Sequence, residues 1–165
     1  MKLTLIVTVL ASLGVQGGRA EPEIHLIPED FSGVVTIAYR AKNGEPAAYE
    51  DGARLYRIPK NGILLTQADL NRGISPEWKF FFVKEDGTRT QIARVWGSPV
   101  NDTPEDRADT TIGVFGFRRA RMGSGRVPCV EFDQYIVGTK AQVLALGSHT
   151  SAELGSVLRT QYECQ

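Results

Sequence analysis

Along residues 24–137 apolar and polar positions alternate with a period of two in short bursts, and Gly, Pro, Asn or Asp ends each burst. This is the pattern of short β-strands joined by tight turns. Over Gly33–Tyr39 the β-branched run places Val35, Ile37 and Tyr39 on one strand face. Asn43-Gly44 tolerates the positive φ of a reversal, and Pro46 cannot donate to a ladder, so that strand stops there. Asp51-Gly52 introduces a strand over 54–58, and Pro59-Lys60-Asn61-Gly62 turns the chain into another over 63–66. Trp78–Val83 is the most apolar segment after the N-terminus, with Trp78, Phe80 and Phe82 on one side. Such a face could stack on sugar rings, but three aromatics left bare would expose a large apolar patch, so they are read as core. Glu85–Thr88 closes a hairpin onto 91–96. Residues 97–109, with two prolines and four acids, lack periodicity and are predicted as a loop. Strand patterning resumes over 110–117 and 129–137 around a glycine-rich tip at 123–125.

After Gly138 the character changes. Thr139-Lys-Ala-Gln142 and Thr150-Ser-Ala-Glu153 both fit the capping box, in which a hydroxyl and an acid or amide three residues later satisfy orphan donors at a helix start. The first helix is short and ends at Gly147; Leu154, Val157 and Leu158 give the second its spacing. Strands followed by helices predict a sheet core with a terminal helical cover.

The N-terminus reads differently. Lys2, the apolar run Leu3–Val15 and the small residues Gly18 and Ala20 form the three parts of a secretory signal, with cleavage expected after Ala20. No run reaches the roughly 18 apolar residues of a membrane span. Residues 21–165 then form a single β-rich domain. Removing Lys2 and Arg19 leaves 17 basic residues against 19 acidic, a net charge of −2. A near-neutral chain excludes wholesale electrostatic binding to nucleic acid. The only cysteines, Cys129 and Cys164, lie in the exported part, where an even pair favours a disulfide. Closing a loop of about 36 residues is worth about 3.8 kcal/mol in the chain-entropy picture. The rival zinc reading lacks close ligand pairs, because His25 and His149 are distant.

Candidate chemistry is sparse. No nucleophile elbow, Ser-x-x-Lys, His-Glu-x-x-His or Walker loop occurs, and no cofactor motif. A Ser-His-Asp triad could assemble in space around His25 or His149, but neither His has an identified orienting acid. Asp102, Glu105, Asp106 and Asp109 offer oxygen ligands at a spacing unlike a calcium loop. The least ordinary surface feature is Arg118, Arg119, Arg121 and Arg126, expected to crowd the hairpin tip. Each guanidinium presents a two-pronged fork suited to phosphate or carboxylate.

Ile27-Pro-Glu-Asp-Phe-Ser-Gly33, Tyr49-Glu-Asp-Gly52, Tyr56-Arg-Ile-Pro59-Lys-Asn-Gly62 and Tyr135-Ile-Val-Gly-Thr139 occur in that order. As an ordered set they resemble an uncharacterised family of exported bacterial domains and lipoproteins, domain of unknown function 6843. The strand and the Ile-Pro-x-x-Gly turn are also similar to transthyretin-like two-layer domains. The resemblance implies a mainly β, transthyretin-like β-sandwich with a short C-terminal helical segment; an α+β sheet with one packed helix is the alternative. It also implies an address in the cell envelope, periplasmic or secreted, and no known activity. This chain has no lipid-anchoring cysteine. The functional expectation is a non-catalytic module binding an anionic envelope component or protein through the four arginines; the alternative is a small extracytoplasmic hydrolase using His149.

Overall fold

A computed structural model describes residues 19–73, 77–95, 103–123, 129–146 and 162. The protein is mainly β, as expected. Its strands are β1 (Glu23–Pro28), β2 (Gly33–Ala38), β3 (Ala48–Glu50), β4 (Ala53–Arg57), β5 (Ile63–Leu65), β6 (Trp78–Val83), β7 (Arg89–Arg94), β8 (Gly113–Met122) and β9 (Val130–Gly138). Two short helices, α1 (Pro104–Ala108) and α2 (Lys140–Leu146), complete the described elements. The strands form one sheet in the order β3-β4-β1-β6-β7-β8-β9-β2-β5.

That sheet folds over on itself. β1 and β9 stand four places apart, which in a flat sheet would separate them by about 19 Å. Yet His25 Nδ1 of β1 lies 3.2 Å from the Tyr135 hydroxyl of β9. The fold line is the β7–β8 junction, a parallel pairing of only Ala93 with Gly113 and Arg94 with Val114. The inner faces of the two halves share one core that includes Ile27, Val35, Ile37, Tyr56, Phe80 and Val137. Trp78 and Phe82 pack against it, so the aromatic strand face is core.

Local chemistry explains most turns. Asp51 and Gly52 both take positive φ, 50° and 78°, the form that suits a two-residue loop between β3 and β4. The Thr139 capping box is formed: the Thr139 N–H donates to Gln142 Oε1 at 2.8 Å and the Gln142 N–H to Thr139 Oγ1 at 3.3 Å. The second predicted helix falls outside the described residues, except that Tyr162 is helical and donates its hydroxyl to the Tyr39 carbonyl at 2.7 Å. Two expectations are corrected. Residues 104–108 of the predicted loop form α1, because Thr103 accepts the Asp106 N–H at 3.1 Å and Pro104 suits the first turn. Strand β8 runs five residues beyond Phe117, to Met122, because β9 pairs with it throughout.

The core also contains charge. Glu23 and His25, 2% and 0% exposed, face inward from β1. His25 Nε2 lies 3.1 Å from Glu23 Oε2, and Asn71 Nδ2 donates to Glu23 Oε1 at 2.6 Å. Burial pushes the Glu23 carboxyl up, but the hydrogen bonds and attraction of His25, with Asn71 and Arg54, bring it below its ordinary value. A carboxyl held low in the folded state contributes stability that is complete above its unfolded value, near 4.5, and is lost as pH falls toward the folded one. Thermal unfolding followed between about pH 3 and 7 should therefore show an acid decline. Glu23→Gln should flatten that decline and cost about 1–3 kcal/mol at neutral pH.

Candidate functional site

Of the arginines singled out in the sequence, Arg118, Arg119 and Arg121 sit within β8 rather than at a hairpin tip, because the ladder with β9 carries the strand past them. Register sets their surroundings: Arg118 stands opposite Gln134, Arg119 opposite Asp133 and Arg121 opposite Glu131. Successive strand residues face opposite ways. Arg119 and Arg121 therefore share the inward-facing side with Asp133, and Arg118 takes the other side with Gln134. Arg126 falls outside the described residues.

Arg119 is committed to the fold. Its Nε and Nη2 donate to Asp133 Oδ1 and Oδ2 at 2.8 and 3.0 Å, and Nη2 also reaches the Asn71 carbonyl at 3.1 Å. The hydrogen bond to Asp133 raises the pKa of the guanidinium. Asp133 is 1% exposed and also accepts the Tyr39 hydroxyl at 2.9 Å. Burial, with Asp133 nearby, keeps Tyr39 protonated by raising its pKa. Arg118 donates only to a neutral amide, Gln134 Oε1, at 3.1 and 2.5 Å. Arg121 is exposed and makes no ion pair among the described residues. Thus β8 presents two guanidinium charges that no described carboxylate offsets.

Two further arginines reach this end of the sandwich. Arg40, just after β2, donates to Glu131 Oε2 at 2.6 Å, and Arg72 grips both Glu131 oxygens at 2.9 and 2.8 Å. Nothing in their spacing, 32 residues apart, pairs them. The available signal was strand register, since β2 lies beside β9 and the Tyr39 N–H meets the Glu131 carbonyl at 3.1 Å. The patch comprises Arg40, Arg72, Arg119 and Arg121 against Glu131 and Asp133, a net charge of +2.

The other candidates fall elsewhere. His25 is enclosed in the core, stacked on Phe80 at 4.6 Å, where no substrate reaches it. His149 and Asp102 lie outside the described residues. Asp106 and Asp109 hold Lys140 Nζ at 2.8 and 3.1 Å instead of presenting free oxygens to a metal. Among the described residues no three His, Cys, Asp or Glu side chains are placed to hold a metal ion. At the opposite end of the sandwich a cleft of about 680 Å³ lies between Phe31, Lys60 and Val83, and at its rim Lys84 pairs with Glu29 at 3.4 Å. Its lining mixes charges, with the acids Glu29, Asp30, Glu85 and Asp86 beside Lys60 and Lys84.

The split among the arginines is measurable. Arg119→Ser should lower stability by about 2 kcal/mol, because it strips a buried carboxylate of its cation. Arg121→Ser should stay within about 0.5 kcal/mol. Chemical denaturation of the two variants checks the difference.

Comparison with known proteins adds a family and a fold. No curated protein matches the chain. A crystal structure described as a "Putative Lipoprotein from Bacillus anthracis" aligns with a TM-score of 0.56 at 16% identity, covering 87% of this chain and 97% of that one. At that identity the likeness concerns the fold. The model of a family of unknown function matches residues 19–114, from the start of the described chain through the β7–β8 junction and short of the arginines. By that match the chain belongs to the family of unknown function DUF6843.

Proposed function

We propose that this chain is an exported cell-envelope protein that binds an anionic partner, without catalysis, through the β8–β9 hairpin, whose strand β8 carries Arg118 on one face and Arg121 on the other, together with Arg126. The observation that carries this reading is the pair of β8 guanidiniums left without a described carboxylate. Arg119 shares the side of Arg121 but is held by Asp133, so it shapes the contact instead of making it. Arg40 and Arg72 add to the positive field from the neighbouring rim. An envelope address is supported by the signal-like N-terminus and by the description of the structural neighbour as a lipoprotein. No helix among the described residues is long and apolar enough to cross a membrane.

Export also favours a disulfide between Cys129 and Cys164. Cys129 Sγ lies 3.4 Å from the carbonyl oxygen of Tyr162, two residues before Cys164, which brings that part of the tail to β9. The bridge would fasten Tyr162 over Ala38, Phe132 and Met122 on the outer face of the sandwich. Intact mass of the exported protein tests both points. The chain should begin at Glu21 and gain two hydrogens on reduction; retention of Met1 or an unchanged mass would contradict them.

For binding, affinity for an anionic envelope polymer should fall steeply with salt, since screening acts over about 10 Å at 0.1 M. A variant with Arg118, Arg121 and Arg126 all changed to Ser should lose retention on that polymer while keeping its melting temperature. His149→Ala should bind as the parent does. Undiminished retention by the triple variant would end this reading, and turnover of an ester or peptide that depends on His149 would replace it with the hydrolase.

A further inference from the structure

We propose that the outer edge of β8, residues 116–122, takes up an acidic peptide segment as an added β-strand. This rests on the β8–β9 hairpin being the contact for an anionic partner, and it names that partner's class. The pairing of β8 with β7 ends at Val114. Between Phe115 and Arg118 the register with β9 shifts around Gly116, whose φ of 60° suits glycine. Beyond this bulge β8 leaves β7 and follows β9 alone to Met122, while the other side of β9 is taken by β2. From Gly116 to Met122 the main-chain groups of β8 turned away from β9 have no strand partner among the described residues. Seven residues at about 3.3 Å each give an edge of about 23 Å, ample for a docked strand.

An open edge is a template for main-chain pairing, and its side chains select the sequence that pairs. Here Arg118 flanks the edge on one face and Arg121 on the other, so acids at neighbouring positions on either face of an added strand meet a guanidinium. Where the edge begins, Phe117 stacks on Trp78 at 4.5 Å, and the Arg94 guanidinium lies 3.8 Å from the Trp78 ring centre. Phe117 also stacks on Tyr135 at 5.8 Å, so this stack belongs to the core and closes it where the edge begins. Charge disfavours a second copy of this chain as the occupant, since two β8 edges laid together would set arginine against arginine. An anionic polymer lacking amides could satisfy the charges but not the row of main-chain donors and acceptors.

The test uses the purified full chain and two fluorescein-labelled ten-residue peptides of Glu, Val and Thr, identical except that one is N-methylated at every residue. N-methylation keeps the charge and removes every main-chain donor. The unmethylated peptide should bind with amide-exchange protection appearing at residues 116–122, and the methylated one should bind at least tenfold more weakly. Equal binding of the two peptides would overturn strand addition while leaving the anionic-partner reading intact. Strand addition is overturned in the same way if neither peptide binds but the anionic polymer is still retained, or if the chain dimerises through this edge. Unchanged peptide binding by the Arg118→Ser/Arg121→Ser double variant would instead overturn the reading on which the inference rests.

Discussion

Asp133 is 1% exposed on the inner face of β9, and a carboxylate there cannot remain charged without partners. It obtains them from two parts of the chain, the fork of Arg119 on β8 and the hydroxyl of Tyr39 after β2, and Arg119 in turn donates to the carbonyl of Asn71. Asn71 in turn holds Glu23, which meets His25, which meets Tyr135 back on β9. Charge and hydrogen bonding thus run through the interior from one half of the folded sheet to the other. Apolar burial alone would let the two faces slide; groups that need particular partners at particular distances fix how the halves meet.

The same requirement sorts the arginines. Spacing alone makes Arg118, Arg119 and Arg121 equivalent, but the alternation of β8 and its register with β9 do not. Arg119 falls opposite a buried acid and becomes part of the core's electrostatics. Arg121 falls opposite Glu131, whose oxygens are already taken by Arg40 and Arg72. Arg118 faces an amide that carries no charge. A run that looks uniform in sequence is one structural ion pair flanked by two cations that no described carboxylate offsets.

Strands with period-two apolar residues were legible, as were the Asp51-Gly52 turn and the Thr139 capping box, because local chemistry alone determines them. What escaped depends on distant partners. Arg118-Arg119-Ala120-Arg121 has no apolar alternation, and β9 supplies the ladder that makes it a strand. Glu23 and His25 carry no local sign of burial, because the groups that accompany them inside, Asn71 and Tyr135, are 48 and 110 positions away. The helix α1 buries nothing, so no periodic stripe marked it, although Thr103 and Pro104 carried its start signal. Arg40 and Arg72 joined the candidate face only through the order of the strands.

A β-sheet that folds over at a two-residue seam leaves edges beyond the seam, and one of these is the long end of β8, whose outer side pairs with no strand among the described residues. Exposed edges invite pairing between copies, and charge on the edge is a common way to prevent it. Arginines of one sign do so by repelling an identical edge. That protection is selective: repulsion between like charges becomes attraction when the incoming strand is acidic. Keeping the chain from pairing with itself and choosing an acidic partner are therefore two consequences of the same side chains, and they separate only where a carboxylate of the fold, as at Arg119, has already taken the charge.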